Sequence, residues 1–98
     1  MKRIKDKNIL VTGASSGIGS KVAEILLKNG ANVGIHYFSD LEGAISTTMN
    51  SPNGRYTIMH CDIRNEESCN KLIREFINYF GSIDVLFLIR FISHHHLQ

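Results

Sequence analysis

Hydrophobic positions fall into short apolar runs separated by longer amphipathic stretches. Ile9, Leu10 and Val11 form the first run, predicting a strand over residues 8–12. Over residues 17–29, Ile18, Val22, Ile25 and Leu26 recur at helical spacing, with Lys21, Glu24 and Lys28 elsewhere. Asn32 to Tyr37 reads as a second strand, carried by Val33 and Ile35. A second helix would place Leu41, Ala44, Ile45, Thr48 and Met49 on one side. Ser39-Asp40-Leu41-Glu42 would open it as a capping box, Ser39 and Glu42 exchanging bonds with the first free amides. Arg55 to Cys61 is the third strand. Cys69, Leu72, Ile73, Phe76, Ile77 and Phe80 then give the cleanest helical stripe in the chain. Ile83 to Ile92 is a fourth strand, nearly all apolar except Asp84 and Arg90.

Punctuation agrees with those elements. Asn29-Gly30 stops the first helix and Gly81 the third. Ser51-Pro52-Asn53-Gly54 has the residues of a tight turn, and Asn65 can cap a helix whose first turn holds Glu66 and Glu67. The order is β-α-β-α-β-α-β with short connections. Right-handed crossovers then favour a parallel sheet with helices on both faces. The predicted strand order is 3-2-1-4, an α/β doubly wound arrangement with one domain over residues 1–92 and a polar tail over 93–98.

Composition changes this picture little. A hydrophobic fraction of 43% in 98 residues suffices for a core. The net charge is +2, and Lys2, Arg3, Lys5 and Lys7 cluster at the start. Ile4 and Asp6 interrupt that cluster, so it reads as a solvated flank and no nucleic-acid partner is expected. No apolar run is long enough to span a bilayer and no signal-peptide pattern is present, so no membrane partner is expected; with only two cysteines, a reduced cytoplasmic setting is the expectation. Two cysteines, Cys61 and Cys69, make no disulfide framework and read as packed thiols. His94-His95-His96 lacks a carboxylate or cysteine to complete a metal set, and no metal is expected.

The chemistry is concentrated in Thr12-Gly13-Ala14-Ser15-Ser16-Gly17-Ile18-Gly19, between the first strand and the first helix. Such a turn lets backbone amides approach a phosphate with no Cβ in the way. The following helix directs its unpaired N–H groups and positive dipole end to the same place. A nucleotide P-loop does not fit, because Ser20 precedes Lys21 where that template needs glycine. Gly13, Gly17 and Gly19 are spaced G-x-x-x-G-x-G instead of G-x-G-x-x-G.

The Thr-Gly-x-x-x-Gly-Ile-Gly pattern resembles that of the short-chain dehydrogenases/reductases. The likeness continues through Gly30-Ala31-Asn32-Val33, Cys61-Asp62-Ile63 and Gly81-Ser82-Ile83-Asp84-Val85-Leu86. It implies a Rossmann-like three-layer fold and hydride transfer between a nicotinamide dinucleotide and a carbonyl or alcohol. By that resemblance Gly13, Ser15, Ser16, Gly17, Ile18 and Gly19 would line the pyrophosphate and adenosine ribose. Asp62 would accept from the adenine amino group, with Ile63 beside it; Asp62 can equally favour the N-terminus of the next helix. Tyr37 stands where an acidic residue would bond the ribose 2′-hydroxyl, with His36 and Ser39 near it. Without that carboxylate NADP(H) is favoured over NAD(H), although Asp40 is close enough to keep NAD(H) open. Tyr37 can also be a strand-end aromatic covering the sheet.

The resemblance ends within the fourth strand. The family's Asn-Asn-Ala-Gly is replaced by Leu88, Ile89, Arg90 and Phe91. Its Tyr-x-x-x-Lys acid/base pair has no counterpart either, because Tyr37, Tyr56 and Tyr79 are followed four residues on by Leu41, His60 and Ile83. The expectation is a truncated or frame-shifted reductase that keeps the cofactor half, has no catalytic residues of its own and can self-associate through an exposed fourth strand; the alternative is a non-catalytic dinucleotide-binding fragment or interaction module.

Overall fold

Alternate side chains of a strand face opposite sides of its sheet, and two separate cores follow from that rule. Ile9, Val11, Val33 and Ile35 pack on one side with Ala23, Leu26, Leu27 and Ala44. Leu10 packs on the other with Met59, Leu72 and Phe76. The computed structural model describes residues 2–89. After a 3-10 turn at Lys2–Ile4 come β1 (Asn8–Val11), α1 (Gly17–Lys28), β2 (Asn32–Tyr37), α2 (Leu41–Thr48), β3 (Arg55–His60), α3 (Glu66–Phe80) and β4 (Val85–Phe87). The sheet is parallel throughout, in the order β3-β2-β1-β4. Its first core holds α1 and α2 and its second holds α3, giving three layers of Rossmann-like α/β architecture.

Register is pinned at the N-terminal ends of the strands. Asn32 Nδ2 donates to Asn8 Oδ1 at 2.8 Å, while Asn8 Nδ2 reaches Ser82 Oγ at 3.0 Å. The Asn8 amide donates to Asp84 Oδ2 at 2.8 Å, tying β1 to the approach to β4. Gly34, in the middle of β2, is a packing device. A Cβ there would meet Phe76 Cδ2 at 2.7 Å and Leu10 Cδ1 at 2.8 Å. Its absence lets the fully buried Phe76 ring seat α3 against the sheet. Burying such a ring contributes roughly 1.5–3 kcal/mol.

Several expectations need correction. The packed face of α1 is Gly19, Ala23, Leu26 and Leu27, whereas Ile18 is 74% exposed and Ile25 is also exposed. Gly19 is small there because the first turn of α1 lies against the Gly13 carbonyl. On α2 the buried residues are Ala44, Thr47 and Thr48, with Leu41, Ile45 and Met49 exposed. The capping box is not formed. Asp40 is the cap, its Oδ1 accepting from the Gly43 amide at 2.9 Å. Starting one residue later puts Gly43, not Glu42, at the third helical position, where a Cβ would strike the Ser15 carbonyl. Strand β4 covers only Val85–Phe87 of the expected Ile83–Ile92, and residues 90–98, with the three histidines and the predicted tail, lie outside the described residues. The Asn65 cap, accepting from Ser68 N at 3.0 Å, and the Ser51–Gly54 turn, closed at 2.8 Å, form as expected.

Candidate functional site

A cleft of about 1130 Å³ opens at the C-terminal ends of β1 and β2 and runs along the mouth of α1. Crossover direction reverses at β1 in the order β3-β2-β1-β4, and a crevice there is where such sheets take ligands. One wall is Gly13, Ser15, Ser16, Gly17, Ile18 and Gly19. His36, Phe38, Ser39 and Asp40 supply the second, while Ile63, Arg64, Cys69 and Leu72 close the far side beside Leu86, Leu88 and Ile89.

The turn has this shape because its glycines cannot be replaced cheaply. Gly13 and Gly17 have φ of 61° and 59°, the left-handed region that L side chains rarely adopt. Nothing lies within 4 Å of a Cβ built on Gly17, so that face is open to the cleft. Gly19 is pressed against the Gly13 carbonyl, where a Cβ would collide with backbone. That contact draws the first turn of α1 down onto the loop.

The first amides of a helix have no partner inside it. Ser16 sits at the cap with extended backbone, and its hydroxyl makes no capping bond. Only the Ser20 amide finds the Ser16 carbonyl, at 3.3 Å. Among the described residues no oxygen accepts from the amides of Gly17, Ile18 or Gly19. Three free donors and the positive end of a helix dipole therefore face one open space, an arrangement suited to an anion such as a phosphate. The Gly13 and Ala14 amides are already engaged, by His36 Nδ1 at 3.0 Å and the His36 carbonyl at 2.8 Å.

Eight of the residues predicted from the sequence come together here: Gly13, Ser15, Ser16, Gly17, Ile18, Gly19, Ser39 and Ile63. Tyr37 and Asp62 do not line the cleft. Strand alternation sends Tyr37 to the α1/α2 side, against the core of Val33 and Ile35. Its neighbours His36 and Phe38 face the cleft instead. Asp62 is taken up by Arg64, accepting from its backbone amide and Nε at 3.0 Å and from Nη2 at 3.1 Å. That pairing holds the Asp62 carboxyl below the usual carboxylate range. It also steers the guanidinium to 5.2 Å from the centre of the Phe38 ring, at the rim of the cleft.

Three further residues support the cleft: His36, Arg64 and Thr47. His36 was signalled by alternation, being two residues from Gly34 on the same face. Arg64 carried no local signal beyond its spacing from Asp62. Thr47, fully buried in α2, lies 2.8 Å from the Ala14 carbonyl and 2.7 Å from Ser20 Oγ, linking α2 to the turn and to α1. Among the described residues no cluster of three or more His, Cys, Asp or Glu could hold a metal, and no helix is long and apolar enough to cross a membrane.

The short chain dehydrogenase family model matches residues 7–89. A 2,5-dichloro-2,5-cyclohexadiene-1,4-diol dehydrogenase of Sphingobium indicum is 33% identical over 87 residues, covering 89% of this chain and 34% of that enzyme. A dehydrogenase/reductase from Sinorhizobium meliloti 1021 superposes with a TM-score of 0.79 at 32% identity, over 84% of this chain and 33% of its own. A short chain dehydrogenase from Burkholderia cenocepacia J2315, solved in complex with NADP, gives a TM-score of 0.80 at 29% identity, over 86% of this chain and 35% of its own. The chain thus spans about a third of the length of the relatives it matches. With strand order, glycine spacing and a match running from the start of β1 past the end of β4 in agreement, the chain belongs to the short-chain dehydrogenase family.

Proposed function

We propose that this chain supplies the dinucleotide-binding part of an NAD(P)-dependent oxidoreductase acting on a carbonyl/alcohol pair. The observation that carries the reading is the set of free Gly17, Ile18 and Gly19 amides facing an open cleft. They would hold the pyrophosphate, with Ser15 and Ser16 along the same wall and Phe38, Ser39, Ile63 and Arg64 around the adenosine end. The bound nicotinamide supplies a hydride donor or acceptor. This chain's residues bind and orient the carrier. No tyrosine of the 98 residues is followed four positions on by lysine, so the proton-transfer role is assigned to none of them.

NADP(H) is the preferred carrier in this reading. Tyr37 leaves no acid at the end of β2, and Asp40 has its carboxylate on the α2 cap. Arg64 stands at the cleft rim, and its guanidinium N–H groups that Asp62 does not take can donate to a 2′-phosphate. Complex formation with NADP by the Burkholderia relative supports the carrier class. Fluorescence titration of the folded chain with NADPH and NADH tests both levels. Saturable binding, several-fold tighter for NADPH, is expected. A folded chain that binds neither overturns the cofactor reading, and equal or tighter NADH overturns the preference alone.

A second reading concerns β4. Val85, Leu86 and Phe87 are 40%, 43% and 39% exposed on a strand whose described neighbour is β1 alone. An apolar strand edge of that kind is a template for pairing, and self-association of this chain through β4 is proposed beside cofactor binding.

A further inference from the structure

His36 is a buried imidazole, 2% exposed, with both ring nitrogens engaged. Nε2 lies 2.8 Å from the Cys61 carbonyl and Nδ1 lies 3.0 Å from the Gly13 amide. A carbonyl oxygen only accepts, so Nε2 must carry the proton. Nδ1 then offers its lone pair, and the Gly13 N–H donates to it. One tautomer of the neutral ring satisfies both contacts. The imidazolium satisfies only one, because a proton on Nδ1 would be directed at the Gly13 N–H. Gly13 matters beyond itself, since its carbonyl is the surface on which Gly19 rests. A displaced Gly13 carries the first turn of α1, and the free amides, with it.

We propose that His36 is a positioning residue for the anion cradle: as the neutral Nε2–H imidazole it fixes the Gly13 amide and the α1 mouth, and on protonation it releases them. The proposal rests on the dinucleotide reading for its ligand but not for its geometry. The titratable or charged groups around the ring are few. His60 stands at the end of β3, followed by Cys61 and Asp62. Asp40 precedes α2, and Arg64 and Cys69 flank the start of α3. Gly13–Ser20, β1 and β4 bring none to the cleft. Burial, chiefly, and the nearby His60 lower the His36 pKa, while the bond to Cys61 opposes them. A depressed histidine pKa means that the neutral ring's contribution is present above the unfolded value, about 6.5, and is lost as pH falls from there through the folded one.

The test couples two readouts. In the ligand-free chain, nitrogen-15 spectra of the ring and of the Gly13 amide are followed from pH 8 to pH 5. The expected result is an Nε2-protonated ring and a Gly13 amide that shifts with the same midpoint. NADP+ affinity is then measured over that range for the wild type, His36→Asn and His60→Gln. The Asn side chain keeps an oxygen for Gly13 and gains no proton. Wild-type affinity relative to His36→Asn is expected to fall about tenfold per pH unit below the ring's midpoint; taking the ratio removes titration of the 2′-phosphate, whose own pKa is near 6. His60→Gln should retain the wild-type slope. An Nδ1-protonated ring, a Gly13 amide indifferent to ring titration, or the same slope in His36→Asn would each overturn the proposal. If NADP+ binds no form at pH 8, the cofactor reading fails while the ring and amide titration still decides this one. That titration also decides it if His36→Asn does not fold.

Discussion

The two cysteines differ at the level of single atoms. Cys61 is buried at the end of β3, and burial, helped by Cys69, pushes its thiol up to about 11. At pH 8 the thiolate fraction falls on the order of a hundredfold below that of an ordinary thiol, whose pKa is about 8.5. Alkylation of the folded chain by iodoacetamide should therefore leave Cys61 unmodified on a timescale that labels it fully in urea. Peptide mapping reads the difference, and equal labelling with and without urea would contradict its burial. Single residues were also where the sequence was hardest to read. The motif from Gly13 to Gly19 was legible because glycine spacing is a backbone property and needs no knowledge of neighbours. Tyr37 packs over the sheet as a strand-end aromatic, the second of its two expected placements, because alternation decides between it and His36 and only the contact of β2 with both cores settles the phase. Asp62 was read alone, although the guanidinium two residues on claims its oxygens.

Elements were legible in kind and less so in orientation. Among the described residues the strands and helices lie where apolar runs, proline and glycine place them, β4 being shorter than expected, and the order β3-β2-β1-β4 is the one expected. The faces of α1 and α2 agree with expectation in part: Leu26, Ala44 and Thr48 are buried, but Ile18, Ile25, Leu41, Ile45 and Met49 are exposed while Ala23 and Thr47 pack against the core. Hydrophobicity ranks Ile18 and Ile45 above Ala23 and Thr47, but close approach at those two positions selects the smaller side chains. The start of α2 gives a sharp test. Asp40→Ala should lower stability by about 1 kcal/mol and Ser39→Ala by no more than a few tenths, since only Asp40 accepts from a helix amide. Urea midpoints of the two variants measure this. A larger effect at Ser39 would restore the capping box.

At the scale of the molecule, two features dominate the described residues: the open mouth of α1, proposed as an anion cradle, and an apolar strand at the edge of the sheet. If β4 mediates self-association, sedimentation velocity should show concentration-dependent growth that Leu86→Lys reduces, a charged edge being a poor template. A wild-type chain monomeric at high micromolar concentration would rule that out. Pyrophosphate capture at the α1 mouth is tested most directly by amide spectra of the chain during NADPH addition. The Gly17, Ile18 and Gly19 resonances should move saturably and further than those at the opposite end of the sheet, near Asn32 and Arg55. A folded chain in which those three amides stay still while NADPH reaches millimolar concentration would contradict it.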